Sequence, residues 1–289
     1  MLSNTGFKIA PWIRLSRCSN LPTLLSNVLV AWTFSSRAFD LQFFYVFFFI
    51  AVFYTLGMFL NDICDLDFDK KAGINRPLVL GEIKVSHAVT ATLIMMLTGV
   101  SYFAFCGWRP FLYSLLLLGS IVGYDLRHKV FPASVLLMGV CRMLVYPLSY
   151  FVFTIKPFPP ALMVASLVMG LWTLGLTAQS RNRFKTKRGK RIVSTLMVLL
   201  PAGLPLFLYF TGNESASLQV IALSVGVVIF FVKLLFSSID QIPNIGKLIA
   251  GMCFLDAIVL LFFNHHVEAF VCITLYFFTN KFQKVIRGV

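Results

Sequence analysis

The chain has 289 residues, of which 58% are hydrophobic and only 12% charged, and its mean hydropathy is +0.85. A soluble domain is about a quarter charged, so this composition excludes one and indicates a polytopic membrane protein. The formal net charge of +14 would suit a nucleic-acid partner, but its confinement to one side of a set of apolar spans excludes that reading.

In chain order, apolar spans are predicted near 21–36, 40–60, 86–106, 110–125, 133–153, 159–179, 192–211, 216–236 and 247–264, with a shorter one near 267–280. The expected fold is therefore all-α: a membrane bundle of about nine transmembrane helices and a short tenth, forming one domain over 1–289. Residues 1–20 form a cytoplasmic N-terminal segment. Lys8, Arg14 and Arg17 precede the first apolar run without a small-residue cleavage pattern, so this is not a removable signal. With the N-terminus inside, all but four of the 25 Lys and Arg residues fall in inside segments. Arg37, Arg109 and Lys156 are outside, and Arg142 lies within a span. The positive-inside rule then fixes the orientation, and contact with anionic lipid is a by-product. The six cysteines show no paired spacing and read as packing thiols.

The second span ends in Asn61-Asp62-Ile-Cys-Asp65-Leu-Asp67-Phe-Asp69. Carboxylates are costly beside a bilayer, so a cluster at the end of an apolar segment needs a compensating partner. Asn61, Asp65 and Asp69 recur every four residues, and Asp62 lies one turn before Asp65 on nearly the same face. Asp67 points elsewhere. Stacked carboxylates repel unless a cation sits between them, and an oxygen-only, partly hydrated donor set suits Mg²⁺ bridging to substrate phosphates. The plain alternative is a hydrated helix end.

Asn61-Asp62-x-x-Asp65-x-x-x-Asp69 followed by Arg76-Pro77 resembles the first aspartate-rich motif of UbiA-type membrane prenyltransferases. The short gap from Asp69 to Arg76 looks like the EboC-like branch of that superfamily. The resemblance implies two sets of helices with the active site between polar inside loops. It implies Mg²⁺ held by Asn61, Asp62, Asp65 and Asp69, with Asp62, Asp65 and Asp69 as catalytic groups. The partners it implies are a prenyl diphosphate, a small-molecule acceptor such as an aromatic ring or alcohol, and membrane lipid, with no nucleic acid.

Tyr124-Asp125-x-x-x-Lys129 closes the fourth span on the inside, where a phenol and an ammonium can contact diphosphate oxygens or simply anchor the helix at the interface. The motif also resembles the family's Tyr…Lys element, which adds Tyr124 and Lys129 to the diphosphate set. Asp125 either holds Lys129 or is solvated. Gly139-Val-Cys-Arg142-Met-Leu144 buries a guanidinium some ten residues from either span end, too deep to snorkel easily. Its expected partner is the aspartate cluster or the diphosphate, and Gly-x-x-Arg-x-Leu again looks EboC-like.

The family's second acidic motif is missing. Its place holds Thr177-Ala-Gln-Ser-Arg181-Asn-Arg183-Phe-Lys185, so a second metal loses its carboxylates. Arg181, Arg183 or Lys185 can neutralise the diphosphate directly. Asp240 lies in the inside loop after the eighth span. Asp256, mid-span, is functional by default or a buried structural acid, with Arg142 or a lysine as partner. His265-His266 with Glu268 lies outside, and adjacent histidines share no helical face.

The expected activity is prenyl transfer in a bacterial inner membrane. Ionisation would be assisted by Mg²⁺, with Arg76, Lys129 and Arg181 on the leaving group and a Phe-rich tunnel around the tail. Two alternatives are an isoprenoid-phosphate binder or carrier without chemistry, and an ion-coupled transporter.

Overall fold

The computed structural model describes residues 9–127, 133–180, 218–236 and 245–286, and among them every regular element is helical. A short helix, α1 (Ile9–Ser16), leads through a 3₁₀ turn at Cys18–Asn20 into α2 (Leu21–Ser35). Then come α3 (Leu41–Cys64), α4 (Leu66–Lys71), α5 (Val85–Cys106), α6 (Trp108–Arg127), α7 (Ser134–Phe153) and α8 (Pro160–Ser180). The rest comprises α9 (Leu218–Phe236), α10 (Ile245–Ala250), α11 (Met252–Phe262) and α12 (His266–Val285).

Each expected span that falls on described residues coincides with a helix; the span near 192–211 lies outside them. Among the described residues five helical segments are both long and apolar enough to cross a bilayer: α3, α5, α7, Pro160–Thr177 of α8, and the continuous stretch Ile245–Phe262. Of the other four expected spans, α2 has only 15 residues, α6 carries Arg109, Asp125 and Arg127, and those near 192–211 and 216–236 lie wholly or partly outside the described residues. The expected ninth span is two helices joined at Gly251, whose amide still donates to Lys247 O at 3.0 Å.

The long helices form a ring. Neighbours pack in the order α3, α5, α6, α7, α8, then α10 and α11, then α12, with α2 inside against α3, α7, α11 and α12. That inner position explains why α2 is buried on almost every face despite its length. Helices α7 and α8 approach most closely at Gly139 and Gly170. A Cβ at Gly139 would lie 2.8 Å from Gly170 O, so only glycine allows this contact. Large apolar side chains such as Phe44, Phe105 and Phe277 face outward, as lipid-facing helices require.

Residues 9–20 pack against the rest of the bundle. Trp12 packs on Phe59 with ring centroids 5.7 Å apart, and Arg14 pairs with Glu82. Leu15 joins Phe59, Leu78, Ile83 and Ala88 in a small apolar cluster beneath the acidic motif. This cluster holds the segment before α2 and the loop after α4 against the same end of α3.

Candidate active site

Helix α3 runs into α4 with little interruption. Asp65 stays in the right-handed helical region, its amide donates to Asn61 O at 2.9 Å, and the Asp69 amide donates to Asp65 O at 2.8 Å. The every-fourth-residue face predicted from sequence is therefore kept. Asp62, Asp65 and Asp69 are 3%, 7% and 1% exposed, whereas Asp67 is exposed.

Buried carboxylates require compensation, and two arginines supply it. Helix α4 ends at Gly73, whose φ of +65° suits glycine. The chain then folds back, with the Ile74 amide on Asp69 O, and delivers Arg76 between the acids. One Arg76 Nη lies 2.8 Å from Asp62 Oδ1, 2.8 Å from Asp69 Oδ2 and 3.9 Å from Asp65 Oδ2. Arg17 approaches the same Asp62 oxygen at 2.9 Å. Arg17 itself has φ 47° and ψ 41°, a left-handed conformation that costs a non-glycine residue about 1–2 kcal/mol. That strain is held at the joint that carries Arg17 to the carboxylates.

Asn61 Nδ2 donates to Asp125 Oδ1 at 3.1 Å, tying the end of α3 to the end of α6. Asp125 is buried, so it is not a solvated acid. Beneath this cluster lies a cavity of about 350 Å³, within the range of small-molecule sites. Tyr124, Asn61, Arg76 and Arg17 stand at its acidic end, and Ile50, Phe53, Leu117, Ile121 and Val145 line its apolar part. Asn20, Thr23, Tyr54 and Arg142 give one wall a polar character. Against the expected Phe-rich tunnel, Phe53 is the one phenylalanine among the described residues that line this cavity, and its apolar lining there is mainly aliphatic. Many phenylalanines are spent on the outer face, where lipid accepts their bulk.

Arg142 is 8% exposed and bonds neither to the acidic motif nor to Asp256. Its Nη2 donates to Thr23 O at 2.9 Å and to Thr23 Oγ1 at 2.6 Å. Asp256 accepts from Tyr146 Oη at 2.6 Å and Asn27 Nδ2 at 2.7 Å, so its hydrogen-bond partners are neutral groups of α2 and α7, while Arg142 acts on it through space. Thr177 lines the cavity. Lys129, Arg181, Arg183, Lys185 and Asp240 lie outside the described residues.

The donor set has the chemistry for Mg²⁺: three carboxylates and one amide, all hard oxygen ligands on one helical face. A guanidinium nitrogen already lies within 4 Å of all three acids, so the place for a cation exists. Among the described residues, no group of three or more His, Cys, Asp and Glu side chains is spaced to ligate a metal as it stands.

The sequence profile of the UbiA prenyltransferase family matches residues 19–278. The chain belongs to this family. Solved UbiA-fold structures superpose on it over nearly their whole length. One is a digeranylgeranylglyceryl phosphate synthase, 18% identical with TM-score 0.60, the match covering 90% of this chain and 96% of that one. A UbiA homologue from Archaeoglobus fulgidus bound to GPP and Mg²⁺ is 17% identical with TM-score 0.58, covering 91% and 99%. An apo homologue from Aeropyrum pernix K1 is 15% identical with TM-score 0.56, covering 92% and 97%. At such identities the likeness establishes the fold. No curated protein sequence matches the chain. As a UbiA-family protein with long apolar helices, it is an integral membrane protein.

Sequence reasoning missed Arg17, which it counted only as topogenic charge, and Tyr54 and Thr23, which it passed over. A signal was present for Tyr54: with Met58 and Asn61 it falls on one helical face leading to the acids. For Arg17 and Thr23 the contacts are tertiary, and spacing carries no trace of them.

Proposed function

We propose that this UbiA-family protein transfers an isoprenoid group from a prenyl diphosphate to a small-molecule acceptor. The observation that carries the reading is the set of buried carboxylates Asp62, Asp65 and Asp69 paired with Arg17 and Arg76, which with Asn61 line one end of a largely apolar cavity. Oxygen donors and guanidinium groups side by side are what a diphosphate with its counter-cation needs. Asp62, Asp65 and Asp69, with Asn61, would hold Mg²⁺, which when bound withdraws charge from the diphosphate leaving group.

Arg76 and Arg17 turn from the carboxylates to the phosphate oxygens as the donor enters. Tyr124, with Lys129 and Arg181 assigned from the sequence pattern, completes the diphosphate set. The isoprenoid chain lies along Ile50, Phe53, Leu117 and Val145. The C1–O bond breaks with its electron pair leaving on the diphosphate, and the faces of Phe53, Tyr54 and Tyr124 stabilise the allylic cation. The acceptor adds to C1 and gives up a proton. Within the family, the Asp69-to-Arg76 spacing and Gly139-x-x-Arg142-x-Leu144 favour the EboC-like branch. The basic segments favour a bacterial inner membrane with the N-terminus and the acidic motif on the cytoplasmic side.

The full chain in lipid nanodiscs, given geranylgeranyl diphosphate, tests the chemistry by release of inorganic diphosphate. Release with Mg²⁺ that stops with EDTA is expected. Tight donor binding with no release in the presence of any acceptor would instead favour an isoprenoid-phosphate binder. That reading is supported by the missing second acidic motif and by the Arg76 nitrogen already seated among the acids.

A further inference from the structure

Asparagine is among the residues preferred just before a helix, because its side-chain oxygen takes up a free amide of the first turn. Asn20 stands at that position before α2 and makes no such bond. Its side chain reaches across the bundle in two directions instead. Nδ2 donates to Tyr54 Oη on α3 at 3.1 Å, and Oδ1 accepts from Gln283 Nε2, in the last turn of α12, at 2.9 Å. Helix α12 also packs directly on the turn Cys18–Asn20 and on α2. The neighbours of Gln283, Phe282 and Lys284, are exposed, while Gln283 is half-buried. A local cap has thus been given up for a tie between the start of α2 and the last helix.

The tie sits at the base of Arg17. The Asn20 amide donates to Arg17 O at 3.1 Å, and the Tyr54 hydroxyl lies 3.5 Å from the same carbonyl. Arg17 is left-handed, and a residue with a Cβ keeps that shape only while surrounding contacts impose it. From this turn its guanidinium reaches Asp62 at 2.9 Å and Met58 Sδ at 3.5 Å. Arg17, Asn20 and Tyr54 line the cavity, whereas Gln283 is not among the described residues that do. Its printed link to the site runs through Asn20.

We infer that Gln283 is a positioning residue for Arg17: through Asn20 it fixes the left-handed turn that aims the guanidinium at the acidic end of the cavity. The inference rests on the prenyl-transfer reading, in which Arg17 passes from Asp62 to the diphosphate. On a fixed base the guanidinium makes that move by turning its side chain alone. On a loosened base, part of the donor's binding energy goes into re-forming the turn. The last helix, which supplies no group to the diphosphate, thereby sets how well the diphosphate is held.

The test compares the full chain in neutral-lipid nanodiscs with Gln283→Met, which keeps length and helix propensity but has no N–H to donate. Hydrogen exchange reads the turn without any ligand. The amides of Asn20 and Leu21 donate to Arg17 O and Cys18 O. They are expected to exchange about threefold to tenfold faster in the variant, the effect of one lost hydrogen bond, with α5 and α6 unchanged. Unchanged exchange at these amides overturns the inference. Calorimetry with a non-ionisable thiolo analogue of geranylgeranyl diphosphate then reads the consequence. Gln283→Met is expected to weaken binding about threefold to tenfold in the wild-type background. In Arg17→Asn, which tolerates the left-handed turn but lacks the guanidinium, adding Gln283→Met weakens binding no further, because both changes act through one group. An equal loss in both backgrounds, or no loss in the first, overturns the inference and leaves Gln283 a packing residue. A wild-type protein that does not bind the analogue contradicts the prenyl-transfer reading, and the exchange result alone then decides whether Gln283 holds the turn.

Discussion

Asp62→Ala is expected to abolish Mg²⁺-dependent diphosphate release and to destabilise the protein at the same time, while Asp65→Ala abolishes release with a smaller loss of stability. The difference comes from the arginines. Arg17 and Arg76 converge on one Asp62 oxygen at 2.9 and 2.8 Å, so removing it leaves two guanidinium groups facing each other. Their side chains are 21% and 25% exposed, and water will take up part of the charge. A loss of about 1–3 kcal/mol is expected, below the 3–5 kcal/mol of a fully buried pair broken on one side. Asp65 stands 3.9 Å from Arg76, a longer and weaker pairing than that of Asp62, so its removal should cost less than that of Asp62. Both variants should lose about 10²–10⁴-fold in release, the several kcal/mol supplied by charge withdrawal from a leaving group. Thermal unfolding in detergent alongside diphosphate release separates the two effects. Wild-type release by Asp65→Ala would remove that residue from the metal set.

The second large effect lies away from the acids. Asp256, 1% exposed, is where α2, α7 and α11 meet: it accepts from Asn27 and Tyr146, and Asn27 also donates to the Tyr146 hydroxyl at 2.8 Å. Asp256→Ala leaves one N–H of the buried Asn27 amide and the buried Tyr146 O–H without their acceptor and opens a void. A destabilisation of about 3–5 kcal/mol is expected, combining unsatisfied groups with lost packing. Asp256→Asn keeps the shape and one acceptor oxygen, and should lose about half as much. Unfolding midpoints of the two variants check this ordering. An Ala variant as stable as the wild type would mean that Asp256 is held for chemistry instead of for the clamp.

Much of the architecture could be read from the residues because bilayer physics is one-dimensional. Runs of Phe, Leu and Val long enough to span locate the helices wherever the structure describes them, and four-residue spacing placed Asn61, Asp65 and Asp69 on one face. Partners were not legible. Arg76 was expected on the phosphate and also serves as counter-ion to the acids, because the turn at Gly73 folds it back toward them. Asp256 was expected to find Arg142 or a lysine. Its partners, Asn27 and Tyr146, are polar residues inside apolar helices, and only the ring of helices around α2 brings them together. The cavity wall was not legible for a related reason: composition counts phenylalanines but does not say which side of a helix they cover.

The account turns on whether the acidic face gathers a prenyl diphosphate together with a cation. Calorimetric titration of geranylgeranyl diphosphate into the full chain, with Mg²⁺ and with EDTA, measures that directly. Binding that weakens about tenfold or more in EDTA is predicted, the share of affinity lost when the carboxylates face the phosphates without a cation between them. Equal affinity in the two buffers would show that Arg17, Arg76 and the basic segments hold the diphosphate alone, and would contradict the metal role given to Asp62, Asp65 and Asp69.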